Sequence, residues 1–528
     1  MSSSNKRPRL SVAMIVRDEQ DVLGQTLESI NGIADEIVIE DTGSHDATGS
    51  VAKKWGARLH RTPWTDNFAA ARNACLARTT GDWVLWLDAG EKLSPKSAKL
   101  LRDFVNGNPD PRKAYLMMVE VPPSDLLASG EQVAQIRLVP RVAGLTFEGR
   151  IRESMLASLA SAGMELEAAP GRIVRDPREH DKARKEAKAR RNLAIVELEK
   201  KEFGREDVRL LLAEGDALCE LGRNEESRDA FSRAIELAEA GSTAMLEGYY
   251  GLLTCYNNHP QLHDCQLEAG LKALETFPFD AQLLLAMGSY LQGKGRLELA
   301  SRSFEIAVKF GQVDIAVWHL REIVEVSTAC LCMILQLQGR ASEACGEMED
   351  ALRRYPRSAR LLRHGVEMYI KMDEPRKAFE LLLRQDPTAE RAPGLGAAVQ
   401  GACFAAKSNW PAAFEQLQRA YRAGCRHPLC LRWFTVAALG NGDLQSALPV
   451  LEQWRRAEPD HPEMLTYLAA VAAEAKTADA EVSSEIATPT PTDRQYRLDQ
   501  GITVSDIAPL GLPIVHQFSS FDVMSGNG

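Results

Sequence analysis

The sequence predicts an N-terminal α/β domain with a mostly parallel sheet, followed by an all-α repeat array. Three observations carry this. The first ~150 residues alternate short apolar runs with amphipathic stretches, the pattern of strands and covering helices. From about Val208, glycine, alanine and leucine recur at fixed offsets, the signature of repeated helix pairs. Between them, residues 181–201 are densely charged, with Leu193, Val196 and Leu198 at helical spacing, and read as a joining helix. A chain of 528 residues also exceeds what a single core supports.

Taken in order, residues 10–16 read as a strand, 19–30 as a helix, 36–39 as a strand and 46–55 as a helix. A short strand at 57–60, a helix at 68–77 and a strand at 83–87 follow. Strand-like runs at 114–121 and 133–139, with another at 145–147, suggest an antiparallel extension that closes the domain. In the array, Gly215, Leu218, Gly222, Phe231 and Ala234 form one unit, and Gly288, Leu291, Gly295, Ala300, Phe304 and Ala307 repeat its offsets. Gly339, Ala344, Ala351 and Pro356 continue the series, then Gly401, Ala413, Leu417 and Ala420, then Gly442, Ala447, Leu451 and Pro459. Units in the second half fall ~34 residues apart, the tetratricopeptide period. Small residues at fixed points let paired helices approach. Residues 312–328 exceed the period. The expected division is a flexible 1–9, an α/β domain at 10–180, a connecting helix at 181–205, the array at 206–475 and a largely disordered tail at 476–528.

Composition excludes some functions. A formal net charge of −10 argues against a general nucleic-acid binder. No apolar run reaches the ~20 residues of a transmembrane segment, and the short run at 10–16 is followed at once by charges, unlike a secretory signal. Ten scattered cysteines without a Cys-x-x-Cys pair read as free thiols in a reducing, cytoplasmic setting.

Ligands of parallel sheets bind beyond the carboxyl ends of the strands, so the segments that follow them are the candidate site. The first ends in Arg17, Asp18 and Glu19. The second places Asp41 beside Thr42, Gly43, Ser44, His45 and Asp46, where a carboxylate can accept from a base N–H or a ribose hydroxyl; Ser44 or Asp46 can also cap the next helix. The third is the helix start Asp66-Asn67-Phe68 with Arg72 one turn in. The fourth is a buried strand running into Asp88 and Glu91, and an acid there needs a partner, a ligand or a metal. Singly, each also reads as a cap or a salt bridge; their order along one sheet makes them a site.

The stretches MIVRDE, EIVIEDTGSHDAT, AKKWGAR, FAAARN and GDWVLWLDAGE closely resemble family-2 glycosyltransferases, in the subgroup with tetratricopeptide tails that includes the sublancin S-glycosyltransferase. The resemblance covers residues 10–91 and continues more loosely through Gln135-Ile136-Arg137-Leu138 and Phe147-Glu148-Gly149-Arg150-Ile151 to about Asp176. It implies a GT-A-like, Rossmann-like domain, a nucleotide-diphosphate-sugar donor, usually a divalent metal (Mn or Mg), and typically inversion, in a hexosyltransferase type of reaction. By this resemblance Asp41 and Arg72 contact the base, Glu19 and Arg152 line the nucleotide-sugar site, and Asp88 is the first acid of the Asp-x-Asp motif, near the ribose. Asp88 and Glu91 are then the metal candidates, and Glu153 is the candidate general base on the acceptor.

The chain departs from the family pattern where the metal is held. It reads Asp88-Ala89-Gly90, so the second acid is missing. Arg152 stands where the family often has histidine, and Arg175-Asp176-Pro177-Arg178 replaces a His-x-Gly-Tyr element. Glycine offers a cation no side-chain ligand and arginine repels one. Three readings follow: Asp88 or Glu91 still holds a metal; Arg152 or Arg175 takes over its role, since guanidinium binds phosphate in a bidentate fork; or the domain has lost catalysis and serves with the array as a scaffold. A helical array presents a surface for an extended peptide or protein, so it is expected to hold the acceptor or another protein partner.

Overall fold

In the computed structural model the described residues are 7–122, 130–175, 182–204, 206–257, 262–458 and 464–468. The expected disordered tail at 476–528 and the residues Asp176, Pro177 and Arg178 lie outside them. The described residues fall into two compact units, one reaching Met287 and taking in Phe310–Ile323, the other made of Gly288–Lys309 and the residues from Val324 onward.

The first unit opens with β1 (Leu10–Val16), α1 (Leu23–Ser29), β2 (Glu36–Asp41), α2 (Thr48–Lys54), β3 (Arg58–Arg61), α3 (Phe68–Arg78) and β4 (Trp83–Trp86). All seven residues of β1 and all four of β4 are buried, as near-continuous apolar runs in a two-face-covered sheet should be. Strands β3, β2, β1 and β4 lie side by side in parallel. The turn into β4 needs Gly81, because a Cβ there would stand 2.7 Å from Ser11 Oγ and 2.8 Å from Ser11 N. Asn67 starts α3 by accepting from Ala70 N.

The chain continues with β5 (Glu91–Leu93), α4 (Pro95–Asn106), β6 (Lys113–Val121), β7 (Glu131–Pro140), α5 (Leu156–Ser161) and β8 (Glu165–Arg175). Strand β7 pairs antiparallel with β4 and with β6, β8 runs parallel to β6, and β5 pairs antiparallel with β8. The sheet is therefore mixed, its parallel half being β3-β2-β1-β4. The strand expected at 145–147 does not form. That segment is a loop whose backbone is satisfied by a side chain: Asn73 donates to Phe147 O at 2.9 Å and accepts from Phe147 N at 2.8 Å.

Helices α6 (Lys182–Phe203), α7 (Val208–Glu220), α8 (Asn224–Leu237), α9 (Thr243–Asn257) and α10 (His263–Thr276) follow, then α11 (Ala281–Gly293) and α12 (Leu297–Phe310). The residues in excess of the repeat period contain a short strand, β9 (His319–Leu320), which pairs antiparallel with β7 through Glu131 and Gln132. Helices α13 (Ile323–Leu337), α14 (Ala341–Arg354), α15 (Ala359–Lys371), α16 (Pro375–Gln385), α17 (Leu395–Ala406), α18 (Trp410–Arg422), α19 (Pro428–Gly440) and α20 (Leu444–Ala457) complete the array. The fold class is thus a GT-A-like α/β domain with a tetratricopeptide-like all-α region.

The repeat spacing has a steric cause. A Cβ on Gly215 would stand 2.6 Å from the Phe231 ring, one on Gly288 2.5 Å from Phe304, and one on Gly401 2.6 Å from Leu417 Cγ. Each glycine lets a large side chain of the next helix seat against bare backbone. Phe304 is fully buried, so it has nowhere to retreat. Gly288→Ala is expected to cost about 1–3 kcal/mol through overpacking, read as a lower urea midpoint with an unchanged slope.

Candidate active site

The register of the parallel strands aligns their carboxyl ends, with Val16 opposite Asp41 and Ala13 opposite Trp86. Segments 17–19, Asp41 and Asp88 thus emerge at one end of the sheet. Strand order reverses between β1 and β4, and the crevice at such a switch point is where ligands bind in this architecture.

At that end lies a cluster of charged residues, each at most 5% exposed: Arg72, Asp88, Glu91, Arg137, Glu153 and Arg175. Arg72 Nε donates to Glu153 Oε1 at 2.6 Å and Nη2 donates to Asp88 Oδ1 at 3.1 Å. Arg137 Nη2 donates to Glu91 Oε1 at 2.7 Å and to Gln135 Oε1 at 2.6 Å. Arg175 Nη2 reaches the same Glu91 oxygen at 3.2 Å. Glu91 Oε2 accepts from Asp88 N at 2.9 Å, which ties the two acids across a tight turn. Among the described residues, these three guanidinium groups face these three carboxyls.

Among the described residues, Asp88 Oδ2, Glu153 Oε2 and Arg137 Nε are buried without a hydrogen-bond partner, and buried polar groups left so in a native protein are few. Burial pushes the Glu153 carboxyl up to about 7, against the pull of Arg72. Burial also raises Asp88, but Arg72, Arg137 and Arg175 more than offset it and hold that carboxyl below its ordinary range. Two neighbouring acids thus differ in proton affinity, the pattern of an acid–base site.

Asp41 and Glu19 stand at the same sheet end with partners of their own. Asp41, fully buried, accepts at Oδ1 from Gly43 N at 3.0 Å and Ser44 N at 2.7 Å, while its Oδ2 accepts no hydrogen bond and lies 3.6 Å from Arg61 Nε. Glu19 accepts from Arg184 of α6 at 3.1 Å. Arg152 turns to the helices: it donates to Glu247 Oε2 of α9 at 2.8 Å and stands 3.9 Å from Asp216 of α7. Asp18, Asp66 and Arg152 have φ of 53°, 51° and 49°. Left-handed backbone at non-glycine positions carries strain, which tends to gather at functional loops.

Asp88 and Glu91 are poor cation ligands as arranged. Glu91 is occupied by Arg137, Arg175 and a backbone N–H. The unpartnered Asp88 Oδ2 has Arg137 Nη2 at 3.7 Å and Arg175 Nη2 at 3.9 Å. A unit-charge pair 4 Å apart interacts by roughly 4 kcal/mol at an effective dielectric of 20, so a divalent ion at this oxygen meets strong repulsion from both. Among the described residues no group of three or more His, Cys, Asp or Glu side chains is placed to hold a metal. The residues present do not fit a divalent cation.

Sequence reasoning missed the part played by Arg137. Its signal was an arginine flanked by Ile136 and Leu138 within a strand, with Gln135 two residues before it on the same face. Arg175 was noted only as a replacement; the structure adds its support, since its guanidinium carbon lies 5.6 Å from the ring centre of Trp318, just before β9. Among the described residues no helix is long and apolar enough to cross a membrane. The described cysteines form no disulfide: all ten are free.

Comparison with known proteins adds the following. Residues 11–110 match the family described as Glycosyl transferase family 2. A TPR repeat-containing protein of Synechococcus elongatus is 48% identical over 85 residues, 16% of this chain and 21% of that one. An uncharacterized glycosyltransferase of Rickettsia conorii is 30% identical over 112 residues, 20% of this chain and 38% of that one. This chain therefore matches well under half the length of either relative. A solved tetratricopeptide repeat protein from Parabacteroides merdae is similar over 50% of this chain and 97% of its own, at 10% identity and a TM-score of 0.33.

Proposed function

We propose that the chain transfers a sugar, of hexosyl type, from a nucleotide-diphosphate-sugar donor to an acceptor, working from the family-2 glycosyltransferase match over residues 11–110. The observation that carries the proposal is the Arg72–Glu153–Asp88 arrangement at the sheet's switch point. In this reading Asp41 and Arg72, with Glu19, hold the nucleotide, and Asp88 lies by the ribose. Arg72 fixes one oxygen of Glu153 and leaves the other without a partner. That free oxygen, on a carboxyl raised to about 7, takes the acceptor proton as the new bond forms and the nucleoside diphosphate departs. A single displacement of this kind inverts the anomeric centre. Residues 10–180 make up the transferase part and 206–475 the array, which, lying beside it in the chain, presents a protein or peptide acceptor, in the reducing cytoplasm that free cysteines suit.

The test is to incubate the full chain with a panel of uridine and guanosine diphosphate sugars and follow nucleoside diphosphate release by mass spectrometry. Release from at least one donor supports the proposal. A panel with no release and no binding favours the second reading, in which the domain and the array together form a protein-binding scaffold. The observation that favours this alternative is that Arg72, Arg137 and Arg175 are already bonded to carboxyls of the cluster.

A further inference from the structure

The acids expected to hold a divalent ion are held by guanidinium groups instead, and the consequence reaches the donor. We propose that Arg137 and Arg175 take the diphosphate of the donor directly, so that donor binding needs no divalent cation. This rests on the transferase reading above and names the groups that meet the leaving diphosphate.

The case is geometric. Asp88 follows β4, and its Oδ2 is flanked by Arg137 Nη2 at 3.7 Å and Arg175 Nη2 at 3.9 Å. Both arginines also meet at one oxygen of Glu91, at 2.7 and 3.2 Å. They therefore sit side by side between Asp88 and Glu91, the two acids expected to hold a metal. Guanidinium presents N–H groups in a planar fork that matches phosphate oxygens. Among the described residues Arg137 Nε, fully buried, finds no acceptor, and an arriving phosphate oxygen supplies one.

Both side chains are fixed in advance. Arg137 is held by Gln135 Oε1 and, at 3.4 Å, by the carbonyl of Trp86. Arg175 rests on the Trp318 ring, and its strand pairs with β5 so that Arg175 lies opposite Glu91. Groups that are oriented before the ligand arrives lose little freedom when it binds, and fixed charges of this kind stabilise a departing diphosphate without reorganising.

The experiment is calorimetric titration of the full chain with UDP and with GDP, once in EDTA and once in manganese chloride. The expected result is the same dissociation constant in both buffers, within about twofold. Arg175→Lys keeps the charge but loses the fork, and is expected to weaken binding about tenfold; Arg175→Met is expected to weaken it about a hundredfold, with circular dichroism unchanged. Binding that tightens tenfold or more with manganese overturns the inference and leaves the transferase reading standing, as does an Arg175→Met protein that folds and binds as well as the unaltered chain. No binding of UDP, GDP or any diphosphate sugar in either buffer removes the transferase reading and this inference together. The comparison of the two buffers uses the unaltered protein, so it decides the question even if both variants misfold.

Discussion

Glu153→Gln is expected to lower sugar transfer by roughly 10²–10⁴-fold, the usual worth of a positioned general base, while donor affinity changes little. The amide keeps the shape of the carboxyl and its oxygen can still accept from Arg72 Nε, which now bonds Glu153 at 2.6 Å. What is lost is the second oxygen's ability to take a proton. The pH profile separates this from a merely structural role. Burial raises the Glu153 carboxyl to about 7, and a base works only when deprotonated. For the unaltered chain kcat/KM should therefore fall about tenfold per unit below pH 7 and level off above it. The Gln variant should lose that acid limb along with the rate. A variant that keeps the limb at reduced rate would assign the proton transfer to another group.

Arg152→Met is expected to cost roughly 3 kcal/mol of folding stability, because removing one partner of a buried ion pair leaves the other charge stranded. Arg152 and Glu247 are each 13% exposed in their side chains, and Asp216 10%. Burial raises the carboxyls of Glu247 and Asp216, and Arg152 works against that in both. Without the arginine both rise further. A carboxyl raised in the folded state lends stability at low pH that is lost as pH climbs through its folded value. The deficit should thus be small near pH 4 and larger at pH 8, read from urea midpoints at the two values. Adding Glu247→Gln to Arg152→Met should recover part of the loss at pH 8. An equal deficit at both pH values would mean that lost packing, and not stranded charge, is responsible.

The central strands and the repeat pattern were legible because each obeys a local rule. Residues 10–16 form an apolar run interrupted by Ser11 alone, and the step from Gly215 to Phe231 recurs from Gly288 to Phe304 and from Gly401 to Leu417 for one steric reason. Strand β8 was not legible. Its first four residues are exposed and it contains Pro170 and Gly171, so neither periodicity nor composition marks it. Its place is set by pairing with β6 and β5, which no local signal encodes. The site was half readable for the same reason. Asp41, Arg72, Asp88 and Glu153 stand in recognisable stretches, whereas the meeting of Arg137 with Glu91 and Arg175 depends on strands distant in sequence. Arg152 shows the limit: its neighbours Ile151 and Glu153 belong to the site segment, yet its partners lie on α7 and α9.

The short strand β9 bears on how the molecule can be cut. It leaves the helical array to pair with β7, and Trp318 beside it supports Arg175, while Ala134 N donates to Ile315 O at 2.6 Å. A protease or a gene boundary placed after the last covering helix of the sheet would strip away an edge partner, an aromatic prop and the counter-charges of Arg152 at one stroke. Any gain or loss seen in such a shortened protein would report damage to the sheet as much as absence of the repeats. Exchanging the later helices for those of a relative should succeed only when residues 310–323 stay with β7, to which β9 pairs.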